Sequence, residues 1–234
     1  MNDFSFVREN LETIKQRISQ VAEKSGRKPE TVKLVAVSKT YPVEAISEAF
    51  NAGQILFGEN RVQELEEKVP KLPREIEWHL IGHLQGNKVK KAVETAEFIH
   101  SVDSVGLLNR IDRIAKDSGK VQNILLEVNV SGEESKFGIA SYDTLRLCVE
   151  SAVSCHNIDF RGLMTMAPYG IPECELRRIF SKLREFRDSS EREFGIALPE
   201  LSMGMSSDFE PAIMEGATMI RIGTAIFGER RTFN

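Results

Sequence analysis

Leu34-Val35-Ala36-Val37-Ser38-Lys39 runs directly into Thr40-Tyr41-Pro42-Val43-Glu44-Ala45. The first six residues read as a buried strand that ends in one amine, and the next six as a turn into a helix. A lysine at a strand end beside an apolar core can have its pKa lowered by desolvation. Such an amine is nucleophilic enough to form a Schiff base with an aldehyde. The competing reading of Lys39 is a solvated lysine at a strand terminus, the common fate of that residue type. Which reading holds depends on where the other strands place their ends.

The strand-then-helix pattern recurs along the chain. Short apolar strands are predicted near Val32–Ser38, Ile55–Phe57, Glu77–Ile81, Phe98–His100, Val121–Val130, Asp159–Met164, Glu200–Ser202 and Thr218–Ile222. Helical patterns fall between them at Val43–Asn51, Arg61–Lys68, Lys88–Glu94, Val105–Ser118, Tyr142–Ser154, Cys174–Phe194 and Asp208–Glu215. Ahead of them all, residues 3–25 carry Val7, Leu11, Ile14, Ile18 and Val21 at helical spacing, and Gly26 stops the run. Strands alternating with helices imply parallel pairing through right-handed crossovers. Eight such units in ~250 residues is the size of a (β/α)₈ barrel. A doubly wound open sheet is disfavoured because no Gly-x-Gly-x-x-Gly follows the first strand. The expected architecture is one TIM-barrel domain over residues 1–234 with an extra N-terminal helix.

Composition narrows the function classes. The chain has 234 residues, 41% of them hydrophobic, and 31 basic against 35 acidic side chains, a net charge of −4. That balance lacks the basic stripe of a nucleic-acid binder. No apolar run is long enough for a membrane-spanning helix, and the first residues lack the basic-then-apolar order of a secretory signal. Three cysteines, Cys148, Cys155 and Cys174, have no C-x-x-C spacing, which fits a reducing compartment and a cytoplasmic setting.

In a barrel, chemistry gathers where the strands end. Those ends carry Ser38-Lys39, Gly58-Glu59-Asn60, Gly82-His83-Leu84-Gln85, Ser101-Val102-Asp103 and Asn129-Val130-Ser131, then Met164-Thr165-Met166, Ser202 to Ser207 and Arg221-Ile222-Gly223-Thr224. Barrels often bind phosphate in the loops after strands seven and eight, with help from a short helix N-terminus. Ser206-Ser207-Asp208 and Gly223-Thr224 occupy those positions, where backbone N–H groups, a hydroxyl and a closely approaching glycine make an anion site. An ordinary helix cap and turn glycine would carry the same residues. Arg221 lies between apolar Ile220 and Ile222 and needs a partner for its guanidinium. A neighbouring carboxylate would serve, and so would a ring nitrogen of a bound cofactor.

Other motifs carry no chemistry. His79 and His83 have the i, i+4 spacing of a zinc pair but lie on strand-like sequence, where they would start about 13 Å apart, and no glutamate follows His79. No Walker loop and no Gly-x-Ser-x-Gly elbow occurs. His100 and His156 read as structural or exposed, and Met203 and Met205 as core filling.

A strand-end lysine, an anion cradle after strands seven and eight, and an arginine on strand eight together suggest pyridoxal phosphate. The residues 34–39, Phe57 to Glu64, Trp78 to Lys88 and Ile99 to Asp103 resemble the pyridoxal phosphate homeostasis protein family (YggS/PROSC type). So do Arg161 to Met164, Leu201 to Ser206 and Met219 to Gly228, so the resemblance covers nearly the whole chain. Leu80, where the family usually has Phe or Met, is a conservative departure.

The resemblance implies a barrel like the N-terminal domain of bacterial alanine racemase, with pyridoxal 5′-phosphate held as a Schiff base on Lys39. It implies that Asn60 and His83 line the mouth, that Ser206, Gly223 and Thr224 hold the phosphate, and that Arg221 faces the pyridine nitrogen. Lys136 is a rim lysine matched in relatives, either a secondary contact or a solvated loop residue. A guanidinium stays protonated and would keep the ring nitrogen unprotonated, so the electron sink is weak. Racemization also needs a second base. The related racemase takes it from a tyrosine supplied with a further domain, and Tyr41, Tyr142 and Tyr169 do not match that role. The expectation is a non-catalytic pyridoxal phosphate-binding protein, with apo forms of pyridoxal phosphate enzymes as candidate recipients. A weakly active amino-acid racemase and a cofactor-free Schiff-base aldolase are the alternatives.

Overall fold

The computed structural model describes residues 4–133 and 137–229. Lys136, the rim lysine noted above, lies outside the described residues. Eight strands, β1 (Lys33–Val37), β2 (Leu56–Glu59), β3 (Glu77–Leu80), β4 (Phe98–Val102), β5 (Gln122–Glu127), β6 (Ile158–Met164), β7 (Glu200–Ser202) and β8 (Met219–Ile222), form a closed barrel in sequence order. Every neighbouring pair is parallel, and β8 returns to pair with β1, Val35 opposite Arg221.

The helices are α1 (Phe6–Lys24), α2 (Val43–Asn51), α3 (Val62–Lys68), α4 (Val89–Thr95), α5 (Val105–Asp117), α6 (Tyr142–Ser154), α7 (Glu173–Phe194), α8 (Phe209–Met214) and α9 (Thr224–Phe227). Their apolar stripes bury against the outward faces of the strands. α1 is the extra helix ahead of the first strand. It buries Val7, Leu11, Ile14, Ile18 and Val21, and its Asn10 amide donates to the Ile226 carbonyl at 2.9 Å in α9. Gly26 follows it at φ 70°, a backbone state that favours glycine and turns the chain toward β1.

Period-2 alternation sorts the strand side chains. Trp78 and Leu80, Ile124 and Leu126, and Ile220 and Ile222 pack outward into the main core with the helices. The opposite phase faces the barrel interior, where Phe98, Leu125, Met164 and Met219 form a separate apolar cluster. His79 and Arg221 share that inward phase, so the polar chain described below is enclosed by strands.

Among the differences from the sequence-based prediction, four have a local physical cause. Strand five stops at Glu127 instead of Val130, because the Asn129 side chain accepts from Ser131 Oγ and from the Gly132 N–H, an Asx-type turn that competes with the ladder. Strand two runs on to Glu59, since Glu59 is buried and held by side-chain bonds. Helix α8 begins at Phe209, because the Asp208 carboxylate is engaged by the Met205 N–H in the preceding loop. The short helix α9 has no counterpart among the predicted elements, as four residues are too few for a periodic signal.

Candidate functional site

The mouth is built from the C-terminal ends of β7, β8, β1, β2 and β3. Register places them level with one another. The Arg221 N–H donates to the Gly204 carbonyl at 2.9 Å, Arg221 sits opposite Val35, and the Ser38 N–H donates to the Gly58 carbonyl at 3.0 Å. The order round the rim is therefore Ser206, then Gly223 and Thr224, then Lys39, then Asn60, then His83. Lys39 is partly buried, and its strand lies between β8 on one side and β2, which leads into Asn60, on the other.

Three glycines make close approaches at the mouth. A Cβ on Gly223 would lie 3.1 Å from the Val37 carbonyl, so this residue seats the start of α9 against the end of β1. Gly82 lies so close to β2 that a Cβ would come 2.3 Å from the Asn60 carbonyl. At β7, Gly204 has φ 94°, and a Cβ there would meet Ala212 of α8 at 2.6 Å. The Met205–Ser207 turn is thus pressed onto α8, and Asp208 Oδ1 accepts from the Met205 N–H at 2.5 Å. Ser206 is half-buried in that turn and Thr224 is exposed at the first position of α9. The turns after β7 and β8 together offer hydroxyls and backbone donors to an anion.

His83 is about a third exposed, stacks on Phe137 with ring centroids 4.1 Å apart, and has Nδ1 3.7 Å from Asp103 Oδ2. A hollow of about 460 Å³ opens beside it, with Asn60, Gln85 and Lys88 on its walls. His79, four residues earlier, points into the barrel instead. Among the described residues no group of three or more metal-ligating side chains comes together.

Arg221 heads a buried polar chain. Nη1 donates to Ser202 Oγ at 2.6 Å and Nη2 to the Thr165 carbonyl at 2.9 Å. Ser202 Oγ lies 2.9 Å from His100 Nδ1, and His100 Nε2 lies 2.8 Å from His79 Nδ1. Arg221 can only donate, so Ser202 accepts from it and can pass its own hydroxyl hydrogen to His100. His100 is then the Nε2–H tautomer and donates to His79, whose own Nε2 has no partner among the described residues. Burial drives both imidazoles to the neutral form: His79 falls to about 3 and His100 falls well below its ordinary value, with His79 and Arg221 adding repulsion. Burial also brings Arg221 down to about 10, while the Asp208 and Glu127 carboxylates act in the opposite direction. At neutral pH it remains a cation. Glu127, at the end of β5, rises to about 7 through burial, with Arg221 opposing and Asp103 adding to the rise.

Lys39 is bracketed on both sides. Ser38 Oγ donates to Glu59 Oε1 at 2.7 Å, and the buried Lys68 ammonium from α3 donates to the Ser38 carbonyl at 2.9 Å. The same ammonium holds Glu59 Oε1 and Glu64 Oε2, each at 2.8 Å. Glu64 Oε2 in turn accepts from the Thr40 N–H at 2.7 Å. Thr40 has φ 69°, the only positive φ at a non-glycine among the described residues. Tyr41 closes the turn through its N–H to the Ser38 carbonyl at 3.1 Å, and its hydroxyl donates to the Gly228 carbonyl at 2.5 Å.

All seven sequence-predicted residues thus lie at one end of the barrel, six around the mouth and Arg221 in the wall beneath it. The guanidinium partners are a hydroxyl and a carbonyl, not the neighbouring-strand carboxylate considered from sequence. From the sequence, His79 is set aside as a zinc ligand, His100 reads as structural or exposed, Glu59 and Ser202 are only strand-end residues, and Lys68 has no assigned role. One signal was available: His79, His100 and Ser202 each interrupt an apolar strand, at Trp78-His79-Leu80, Ile99-His100-Ser101 and Leu201-Ser202-Met203. A polar residue in the middle of an enclosed strand needs a partner on another strand.

Three comparisons bear on this arrangement. Residues 10–231 match the family model described as the alanine racemase N-terminal domain. A relative from Aquifex aeolicus called pyridoxal phosphate homeostasis protein is 46% identical over 224 residues, 95% of this chain and 98% of that protein. PipY from Synechococcus elongatus is 40% identical and aligns over 95% of this chain and all of its own, with a TM-score of 0.87 in the structure without PLP. Its structure with PLP bound aligns with a TM-score of 0.84.

Proposed function

The chain belongs to the pyridoxal phosphate homeostasis proteins, within the alanine racemase N-terminal domain family, and from that premise we propose that it binds pyridoxal 5′-phosphate through Lys39 without using it to turn over a substrate. The observation that supports the reading is that the strand leading into Lys39 pairs with β8 and that Gly223, in the loop after β8, packs against the Val37 carbonyl, so the lysine and the loops read as an anion cradle share one stretch of the rim. The donor set fits the group: one amine for an aldehyde, hydroxyls and N–H groups for a phosphate, and a guanidinium that can only donate.

In this reading Ser206, Gly223 and Thr224 hold the phosphate, Asn60 and His83 line the mouth, and Arg221 faces the pyridine nitrogen. Bound pyridoxal phosphate supplies an electrophilic aldehyde and an electron-withdrawing ring. Arg221, kept cationic and aimed by Ser202 and Thr165, denies that ring a proton at nitrogen and so weakens its electron sink. The Tyr41 hydroxyl is engaged by Gly228, Tyr142 lies within 3.5 Å of Glu193 on the outer helices, and Tyr169 is 88% exposed. None of them is placed as a second base over Lys39. The chain thus stores and buffers a reactive aldehyde in the cytoplasm, within one barrel domain, and hands it to apo forms of pyridoxal phosphate enzymes.

The test is a spectral titration with pyridoxal phosphate, run beside an amino-acid turnover assay. Wild type should bind with a spectral change that Lys39→Ala lacks, and neither should turn over alanine or serine. Turnover above the Lys39→Ala background would overturn the non-catalytic reading, and identical titrations would overturn the role of Lys39.

A further inference from the structure

We propose that Lys68 is a positioning residue for Lys39: through Ser38, Glu59 and Glu64 it fixes the elbow that aims the amine at the anion cradle. The inference deepens the proposed function and rests on Lys39 being the attachment point.

Lysine is rarely buried unless paired, and Lys68 keeps only 7% of its side chain exposed. Each of its three bonds reaches a group that touches the backbone beside Lys39 or the side chain supporting it. One goes to the Ser38 carbonyl, immediately before Lys39. One goes to Glu59, which grips the Ser38 hydroxyl. One goes to Glu64, which grips the Thr40 N–H immediately after Lys39. The elbow needs such a clamp, because a β-branched residue at φ 69° is strained and relaxes unless its surroundings hold it. Glu64 accepts the Thr40 N–H at 2.7 Å in this conformation.

The clamp matters for a single step. Attachment forms a C=N bond between Lys39 Nζ and the aldehyde carbon and releases the aldehyde oxygen as water, taking both hydrogens of the neutral amine. With a phosphate held by the loops after β7 and β8, the rate would depend on how often the amine occupies the position facing the carbonyl. Loosening the elbow lowers that fraction, while the three Lys68 bonds reach Ser38, Glu59 and Glu64 and none of them reaches the loops after β7 and β8.

Lys68→Met is mixed with pyridoxal 5′-phosphate, quenched with borohydride at intervals, and the modified Lys39 peptide is quantified. Total cofactor held is measured by ultrafiltration. The expected result is an attachment rate at least tenfold below wild type, total binding within about twofold, and partial recovery in Lys68→Arg. Glu64→Ala, which alters a partly exposed side chain, should slow attachment in the same direction and decides the matter if Lys68→Met does not fold. An unchanged rate, or attachment and total binding falling in proportion, overturns the proposal. Hydrogen exchange at the Thr40 amide in cofactor-free protein gives a second readout, with protection lost in both variants. If wild type is modified elsewhere than Lys39, the attachment reading fails and the aiming role with it. Loss of Thr40 protection would then still report the clamp, and retained protection would remove that as well.

Discussion

Arg221 Nη1 lies 2.6 Å from Ser202 Oγ, and both side chains are buried in the barrel wall. That bond joins the cation under the mouth to two neutral imidazoles on β3 and β4. Ser202→Ala removes an acceptor from Arg221 and a donor from His100 together. It should cost about 1–3 kcal/mol, the range for leaving a buried polar group unsatisfied, read as a shift in the urea midpoint. It should also alter the pH dependence of the bound cofactor's spectrum, since the guanidinium loses its aim. Reduced stability with an unaltered spectrum would separate Arg221 from the cofactor ring.

The two imidazoles give the protein an acid limb. Their pKa values are lowered in the folded state, so their contribution is complete above about 6.5, the ordinary value, and is lost as the pH falls toward about 3 for His79. Glu59 and Glu127 act in the other direction. Raised from 4.5 to about 7, chiefly by burial, they contribute fully below 4.5 and lose that contribution as the pH rises through about 7. Between about 4.5 and 6.5 the two sets oppose each other. Below that window the imidazoles dominate, joined by Glu64. Burial works against its charge, but bonds from Lys68 and the Thr40 N–H outweigh that and lower its pKa. Chemical denaturation at several pH values should show stability falling steeply below about pH 4.5, and His79→Leu should make that fall shallower by about one proton. An unchanged slope would mean that His79 is not held neutral.

Much of this was legible in the sequence, and the reasons are physical. Strand and helix periodicity located the barrel, because outward residues such as Trp78 and Leu80 alternate with inward ones. The rim residues were legible because glycines and hydroxyls cluster after strand ends. The clamp under Lys39 was not, since Lys68 sits in Glu64-Leu65-Glu66-Glu67-Lys68, a charged helical run that reads as a solvated face. Only the tertiary placement of α3 over β1 and β2 buries that ammonium. The His79–His100–Ser202 chain likewise needs three strands brought into register across the barrel. Helix α9 escaped notice because it has a single turn.

Thr40→Gly separates strain from aim. Left-handed backbone costs a β-branched residue about 1–2 kcal/mol, and glycine relieves this but adds about 0.5–1 kcal/mol of unfolded-state entropy. Stability should therefore stay within about 1 kcal/mol of wild type. Attachment of pyridoxal phosphate should nevertheless slow, because the elbow becomes free to sample other conformations. A rate equal to wild type would show that the bond from Thr40 to Glu64 suffices by itself.

Gly223→Ala tests the cradle. Its backbone φ of −114° suits any residue, so the effect is one of space: the new Cβ would press on the Val37 carbonyl at 3.1 Å. Moving the loop away from β1 should cost about 1–3 kcal/mol of stability. It should also weaken binding of pyridoxal phosphate more than binding of pyridoxal, which lacks the phosphate. Equal losses for both compounds would place the phosphate elsewhere.

In the proposed function Lys39 is the amine that takes the aldehyde. Borohydride reduction of the protein loaded with pyridoxal phosphate, followed by peptide mapping, tests it directly. One reduced cofactor should be fixed on Lys39, and none there in protein reduced before loading. An unmodified Lys39, with the label on another lysine or absent, would contradict it.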